Sequence, residues 1–292
     1  MIPYDPKKPL AIIFATHGTV GPRVVGYVAI MALWSAAIVT LHQVFPIRFD
    51  FGTAAHTIVG VALGLLLVFR TNTAYDRYWE GRQQLEELGI ATRNLAIRAN
   101  AVVPPDETDY RHRLATLINA YVVAVKEQLR AGIGVQALNL PDEASRTQMQ
   151  GFTDPPIGLL AQLTQHSRGL VKQGWIAPPE YGAFAGDINQ CQDVYRSLVR
   201  IRSTPIPFAY VNQLKVFMLL YLATLPFALA PAFDWGTVVA VVFIVYALVG
   251  IEEIGVEIED PFGDDPNDLP ADALCSAIQR DIHELLHHSA AS

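Results

Sequence analysis

Charge is scarce in this sequence: 17% of its residues are Asp, Glu, Lys or Arg, against about 25% in an ordinary soluble domain. Cysteine is scarcer still, with only Cys191 and Cys275 in 292 residues. They stand far apart without C-x-x-C or zinc-finger spacing, so two buried free thiols in a reducing compartment are expected, not a disulfide or a metal pair. Enzyme signatures are missing: the chain contains no G-x-x-x-x-G-K-[ST], no H-E-x-x-H and no G-x-S-x-G. The net charge of −7 carries no basic signature, which argues against a nucleic-acid partner. The first residues, MIPYDPKKPLAIIFATHG, hold too short an apolar stretch for a secretory signal. Insertion into a bilayer would therefore be driven by internal helices.

Apolar residues are plentiful instead, at 51% with a mean hydropathy of +0.27. A hydrocarbon core of about 30 Å takes about 20 apolar residues as a helix. Four windows qualify or nearly do: roughly Val24–Phe45, Phe51–Phe69, Leu214–Phe233 (interrupted by Pro226 and Pro231) and Gly236–Ile251. Short links, around Pro46–Asp50 and at Asp234–Trp235, make two tight hairpins. Residues 70–210 carry fifteen of the 21 cationic side chains and residues 1–24 three more, while the first hairpin link has only Arg48 and the second none. The positive-inside rule then puts both termini and the middle segment of a multi-pass membrane protein in the cytoplasm. Helical periodicity recurs at roughly 75–102, 110–128, 156–173, 179–201 and 271–288, separated by VPPDETD (103–109) and an irregular stretch from 131 to 156. The expected fold class is an all-α membrane protein of four transmembrane helices continuing into a helical cytosolic domain. Its expected segments are 1–70, 71–210, 211–256 and 257–292, integrated into one subunit.

The most informative stretch is FRTNTAYDRYWEGR, residues 69–82, which follows an uncharged run without a turn signal. In that run Val61, Leu65 and Phe69 stack on one helix face. They are either packing or lipid-facing residues, or a hydrophobic ring around a pore. Gly60 and Gly64 have the small-xxx-small spacing of close helix approach. Beyond Phe69, Arg70, Arg77 and Arg82 alternate with Asp76 and Glu80 at pairing distance, and Tyr75, Tyr78 and Trp79 suit an interface. A second charged seam follows the fourth span: from Glu252 onward there are eleven acids against Arg280 alone, with Glu253, Glu257 and Asp260 on one face. DPFGDDPND lacks EF-hand register and is a solvated loop or a candidate cation site at Asp265 and Asp268. His283 and His287, four apart, are a zinc-capable pair or a solvated helix face, with His288 beside them. His56 lies inside the second span and should face a cavity or a helix interface.

FRTNTAYDRYWEGR at 69–82, STPIPFAY at 203–210 and EDPFGDDPND at 259–268 resemble, in order and spacing, the bestrophins, and specifically their shorter bacterial homologues. The resemblance spans nearly the whole chain. It implies a homopentameric ion channel with one axial pore, whose second membrane helix lines a hydrophobic neck and continues into a cytosolic vestibule. Carried over residue by residue, it places the neck on Val61, Leu65 and Phe69, begins the cytosolic wall and its intersubunit contacts at Arg70, and puts a lower constriction at Ile188. The partners implied are the lipid bilayer, four further copies of the chain and monovalent ions. In animal members an unbroken acidic run after P-F-G helps form a calcium clasp; here Pro266 and Asn267 interrupt it, which speaks against a clasp and leaves only the candidate metal at Asp265 and Asp268. The acidic balance favours cations. The alternatives are an anion channel of the same family, or a non-conducting membrane scaffold or sensor with a cytosolic partner-binding domain.

Overall fold

The computed structural model describes residues 2, 5–45, 53–130, 132 and 134–287. The first hairpin link at 46–50 with its Arg48, the start of the second window at Phe51, and His288 lie outside the described residues. Among these residues every regular element is a helix. The chain forms two compact units, one of residues 1–79 and 205–268, the other of residues 80–204 and 269–292. This division differs from the expected segments, which broke at 70 and 256: the charged turn after the fourth span belongs with the membrane helices.

The first unit contains α1 (Pro9–Ile13), α2 (Gly21–Val44), the first part of α3 (Thr53–Val102), α8 (Phe208–Phe233) and α9 (Gly236–Glu259). The last four supply the stretches long and apolar enough to cross a membrane. α2, α8 and α9 pack on one another, around Val24, Leu63, Leu67, Leu214, Met218, Leu222, Leu225, Val241, Val245 and Val249. Pro226 and Pro231 do not break α8, which runs through both. Each removes one backbone donor, a loss that membrane helices tolerate when neighbours or hydroxyls satisfy the freed groups. The second hairpin turns at Asp234, whose φ of 45° is the only positive value of a described non-glycine residue. His56 meets α8 as expected of an intramembrane imidazole, with Nε2 3.0 Å from Thr224 Oγ1.

The second unit holds the rest of α3 with α4 (Thr108–Gln128), α5 (Glu143–Met149), α6 (Pro155–Lys172), α7 (Tyr181–Ser203) and α10 (Ala271–His287). α5 forms inside the stretch expected to be irregular. Its N-cap is Asp142, which accepts the Ser145 backbone N–H at 2.7 Å, a contact worth about 1 kcal/mol. The core includes Leu88, Leu95, Leu117, Ile118, Tyr121, Leu159, Leu163, Phe184 and Leu198. Both cysteines are buried free thiols, pushed up by burial to about 12 for Cys191 and about 11 for Cys275.

His166 on α6 stacks on Tyr110 of α4 with ring centroids 3.9 Å apart, and its Nε2 lies 3.2 Å from the Tyr110 carbonyl oxygen. Burial lowers its pKa from 6.5 to about 4, with nearby Arg113 acting in the same direction. The folded state therefore keeps this ring neutral where an unfolded chain would protonate it. Its contribution to stability is present above about 6.5 and is lost as the pH falls from there towards about 4. His166→Gln is expected to flatten the fall of melting temperature over that window. A variant with an unchanged slope would refute this role.

Candidate functional site

α3 carries two opposed stripes in its membrane part. Leu63, Leu67, Arg70 and Ala74 are buried, none more than 2% exposed. Residues about 200° away around the helix, such as Leu65 between Leu63 and Leu67, point the other way. On that face Val61 is 70% exposed, Leu65 55% and Phe69 56%. The apolar trio singled out in the sequence is thus not consumed by packing within one chain. The two glycines behave differently: a Cβ at Gly60 would sit 2.7 Å from the Tyr221 hydroxyl, whereas one at Gly64 would meet nothing within 4 Å. Gly60 serves the contact of α3 with α8 inside the subunit.

Directly below the trio the buried stripe turns polar. Arg70 is enclosed, with 2% of its side chain exposed, and its Nη1 donates to Glu252 Oε1 at 3.1 Å and to the Glu252 carbonyl at 3.0 Å. Nη2 reaches Glu259 Oε2 at 3.4 Å. Lys215 Nζ approaches the same Glu252 carboxylate at 2.8 Å, giving it a second cation. Glu252 and Glu259, seven apart, lie on one face of α9, and Gly255 between them makes room: a Cβ there would lie 3.2 Å from Arg70 Nη1. The charged head of Arg70 is thus bound inside its own subunit. Of the face read from Glu253, Glu257 and Asp260, Glu257 is buried and takes Arg23, while Glu252 and Glu259 take Arg70.

The three motifs of the sequence meet at Glu259. Its carboxylate takes Arg70 from the first motif and accepts the Ile206 backbone N–H at 3.1 Å from the second, while its carbonyl accepts Arg77 Nε at 3.2 Å. Tyr210 closes the second motif onto α3 by donating to the Leu66 carbonyl at 3.1 Å, one turn above Arg70. In the third motif, Asn267 donates to the Gly18 carbonyl and to Glu257, both at 2.9 Å, and its own carbonyl accepts the Tyr78 hydroxyl at 3.1 Å. Arg23 joins from α2, reaching Glu257 at 3.3 Å and Asp265 at 2.8 Å. The sequence reading missed Glu252, Glu259, Lys215 and Arg23 as partners. The i, i+7 acids flanking Gly255 were the available signal for the first two.

The remaining candidates divide. Glu80 pairs with Arg200 at 2.9 Å and Arg82 with Glu86 at 2.6 Å, instead of with each other. Asp76 and Trp79 are exposed. Asp265 and Asp268 both serve the turn: Asp268 Oδ2 accepts the Asp265 N–H at 2.7 Å, and Asp265 Oδ1 receives Arg23. Asp268 is 4% exposed and its Oδ1 has no partner. Burial, assisted by Asp265, Asp260 and Glu257, raises its pKa to about 6. Among the described residues no set of three or more His, Cys, Asp or Glu side chains gathers where it could hold a metal. Ile188 is 5% exposed, packed in the core of the second unit, and Asp187 before it binds Arg98 at 2.6 Å.

Residues 1–284 match the family model described as bacterial/fungal bestrophin protein. A voltage-dependent anion channel-forming protein of Synechocystis is 33% identical over 284 residues, covering 94% of this chain and 91% of the relative. One of the same description from Nostoc is 34% identical over 280 residues, covering 94% and 90%. Among solved structures, a bacterial bestrophin homologue from Klebsiella pneumoniae superimposes with a TM-score of 0.85 at 26% identity, covering 90% of this chain and 98% of the other. Sequence, fold and the meeting of the three motifs agree: the chain belongs to the bestrophin family of membrane ion channels, in its bacterial and fungal branch.

Proposed function

We propose that five copies of this chain assemble around one axial pore, through which monovalent ions pass passively. α3 of each copy would line the pore, with Val61, Leu65 and Phe69 as its hydrophobic neck. The observation that carries this reading is the exposed apolar stripe of α3, set directly above a charge network that holds the same helix from behind. Rings of such side chains offer no polar substitute for an ion's water shell, so a narrow neck blocks by dewetting and conducts when it widens. The termini and the second unit would lie in the cytoplasm of an inner membrane, on the side favoured by the distribution of Lys and Arg. Native mass spectrometry of the detergent-purified protein should give five times 32.1 kDa; a monomer or dimer would sink the assembly.

Two readings of the ion's sign stand on separate observations. Anion conduction is favoured by the names of the relatives from Synechocystis and Nostoc. It also fits the pairing of Glu252, Glu257 and Glu259 with cations inside the subunit, which withdraws those acids from any pore wall. Cation conduction is favoured by the net charge of −7, because rings of unpaired acids raise the local cation concentration. The test is the reversal potential in planar bilayers under asymmetric salt. A potential near that of chloride supports the anion reading, and one that follows the alkali cation and ignores replacement of chloride by a large anion supports the other.

A further inference from the structure

The segment around α1 carries an apolar surface that its own chain leaves uncovered. Every residue from Asp5 to His17 is exposed, and α1 buries none. Leu10, Ile13 and Phe14 are 68%, 69% and 78% exposed. Side chains of this size gain by leaving water, so the segment calls for a cover. Only residues 14–20 separate α1 from α2, a helix long and apolar enough to cross a membrane. The link turns at Gly18, whose φ is 71° and whose carbonyl accepts Asn267 Nδ2 at 2.9 Å. Beside α1 opens a cavity of about 760 Å³, walled by Lys8 and Ile12, by Tyr75, Tyr78 and Trp79 of α3, and by Ile258 of α9.

We propose that this cavity is a site for an anionic phospholipid of the leaflet at which α2 begins, with an acyl chain in the cavity and the headgroup phosphate at Lys7 and Lys8. The uncovered apolar face is continuous with a membrane-spanning helix, so it borders lipid already. Tyr75 and Trp79 are 56% and 52% exposed, and such rings settle at the headgroup level. A short apolar face flanked by lysines is the pattern of a segment that lies in the interface. Charge agrees: residues 1–24 hold Lys7, Lys8 and Arg23 against Asp5 alone, a cationic patch on a chain of net charge −7. Asp5 is turned to the backbone, its Oδ1 accepting the Lys7 N–H at 3.0 Å. Arg23 is spent on Glu257 and Asp265. The exposed ammonium groups of Lys7 and Lys8 are what the segment offers to a phosphate.

The test uses the full-length protein. Cys191 and Cys275 are buried, so an Ile13→Cys variant takes a nitroxide label at that one place. It is reconstituted into vesicles of phosphatidylcholine, alone or mixed with phosphatidylglycerol. With phosphatidylglycerol the label is expected to be reached by oxygen and shielded from a water-soluble nickel chelate. A label open to the chelate would put α1 in water, and one shielded from both reagents would give the cavity to another copy of the chain; either overturns the site. Native mass spectrometry in detergent then counts retained lipid. Lys7→Gln and Lys8→Gln should each weaken phosphatidylglycerol binding by about fivefold. Trp79→Ala, which removes part of the cavity wall, should weaken it too, and phosphatidylcholine should bind less tightly than phosphatidylglycerol. All three side chains are exposed, and an unchanged melting temperature shows that the variants fold. Equal retention of the two lipids would overturn the proposal, as would retention undiminished in Trp79→Ala or in the double lysine variant.

Discussion

Alanine at both Leu65 and Phe69 is expected to raise the basal ion current through planar bilayers by about tenfold, a change that needs only about 1.4 kcal/mol off the barrier. On the single chain these side chains are 55% and 56% exposed, so truncating them leaves no cavity in the subunit core and should not cost folding. In the proposed five-fold ring each substitution would be repeated five times and would widen the proposed neck on every side. A wider, less apolar neck stays wet, and the dewetting barrier to ions falls. Leu63→Ala and Leu67→Ala are the controls: these side chains are buried on the opposite stripe, 0% and 1% exposed, and should lower stability by about 2–5 kcal/mol. Unchanged current in the Leu65/Phe69 double variant, with the protein intact, would remove the neck from this face of α3.

Replacing Arg70 with methionine keeps the length of the side chain and removes its charge, and is expected to destabilise the folded subunit by about 3–5 kcal/mol. The Glu252 side chain is 1% exposed and would lose one of its two cationic partners. Glu259, 17% exposed, would lose its contact with the guanidinium. A buried carboxylate stripped of partners costs far more than the intact pair contributes, which is why removing one side is the damaging change. Arg70→Lys should fall between, because an ammonium cannot reach both acids as the planar fork does. Arg70→Met combined with Glu252→Gln should recover part of the loss, since the uncompensated charge has gone. Thermal unfolding in detergent reads the series, and an Arg70→Met variant that melts with the wild type would show the network to be dispensable.

The spans, the absence of a turn at Phe69 and the three motifs were legible in the sequence because each is a local property, of hydropathy, of missing breakers or of spacing. What Arg70 does was not. Its partners lie 182 and 189 residues further on, and a charged residue at a membrane boundary reads equally well as a solvated anchor. Pairing by nearest spacing likewise misassigned Glu80, whose partner Arg200 comes from α7. Gly60 and Gly64 look identical on paper and separate only once Tyr221 is placed.

The network just below Phe69 is formally neutral, with Arg70 and Lys215 balanced by Glu252 and Glu259. A transmembrane voltage does work of about 2.3 kcal/mol per elementary charge per 100 mV, and only on net charge displaced along the field. If these four side chains shift together they contribute no gating charge, however far they travel. Any response of this protein to voltage would then have to arise from charges that move relative to the network, or from the permeating ions themselves.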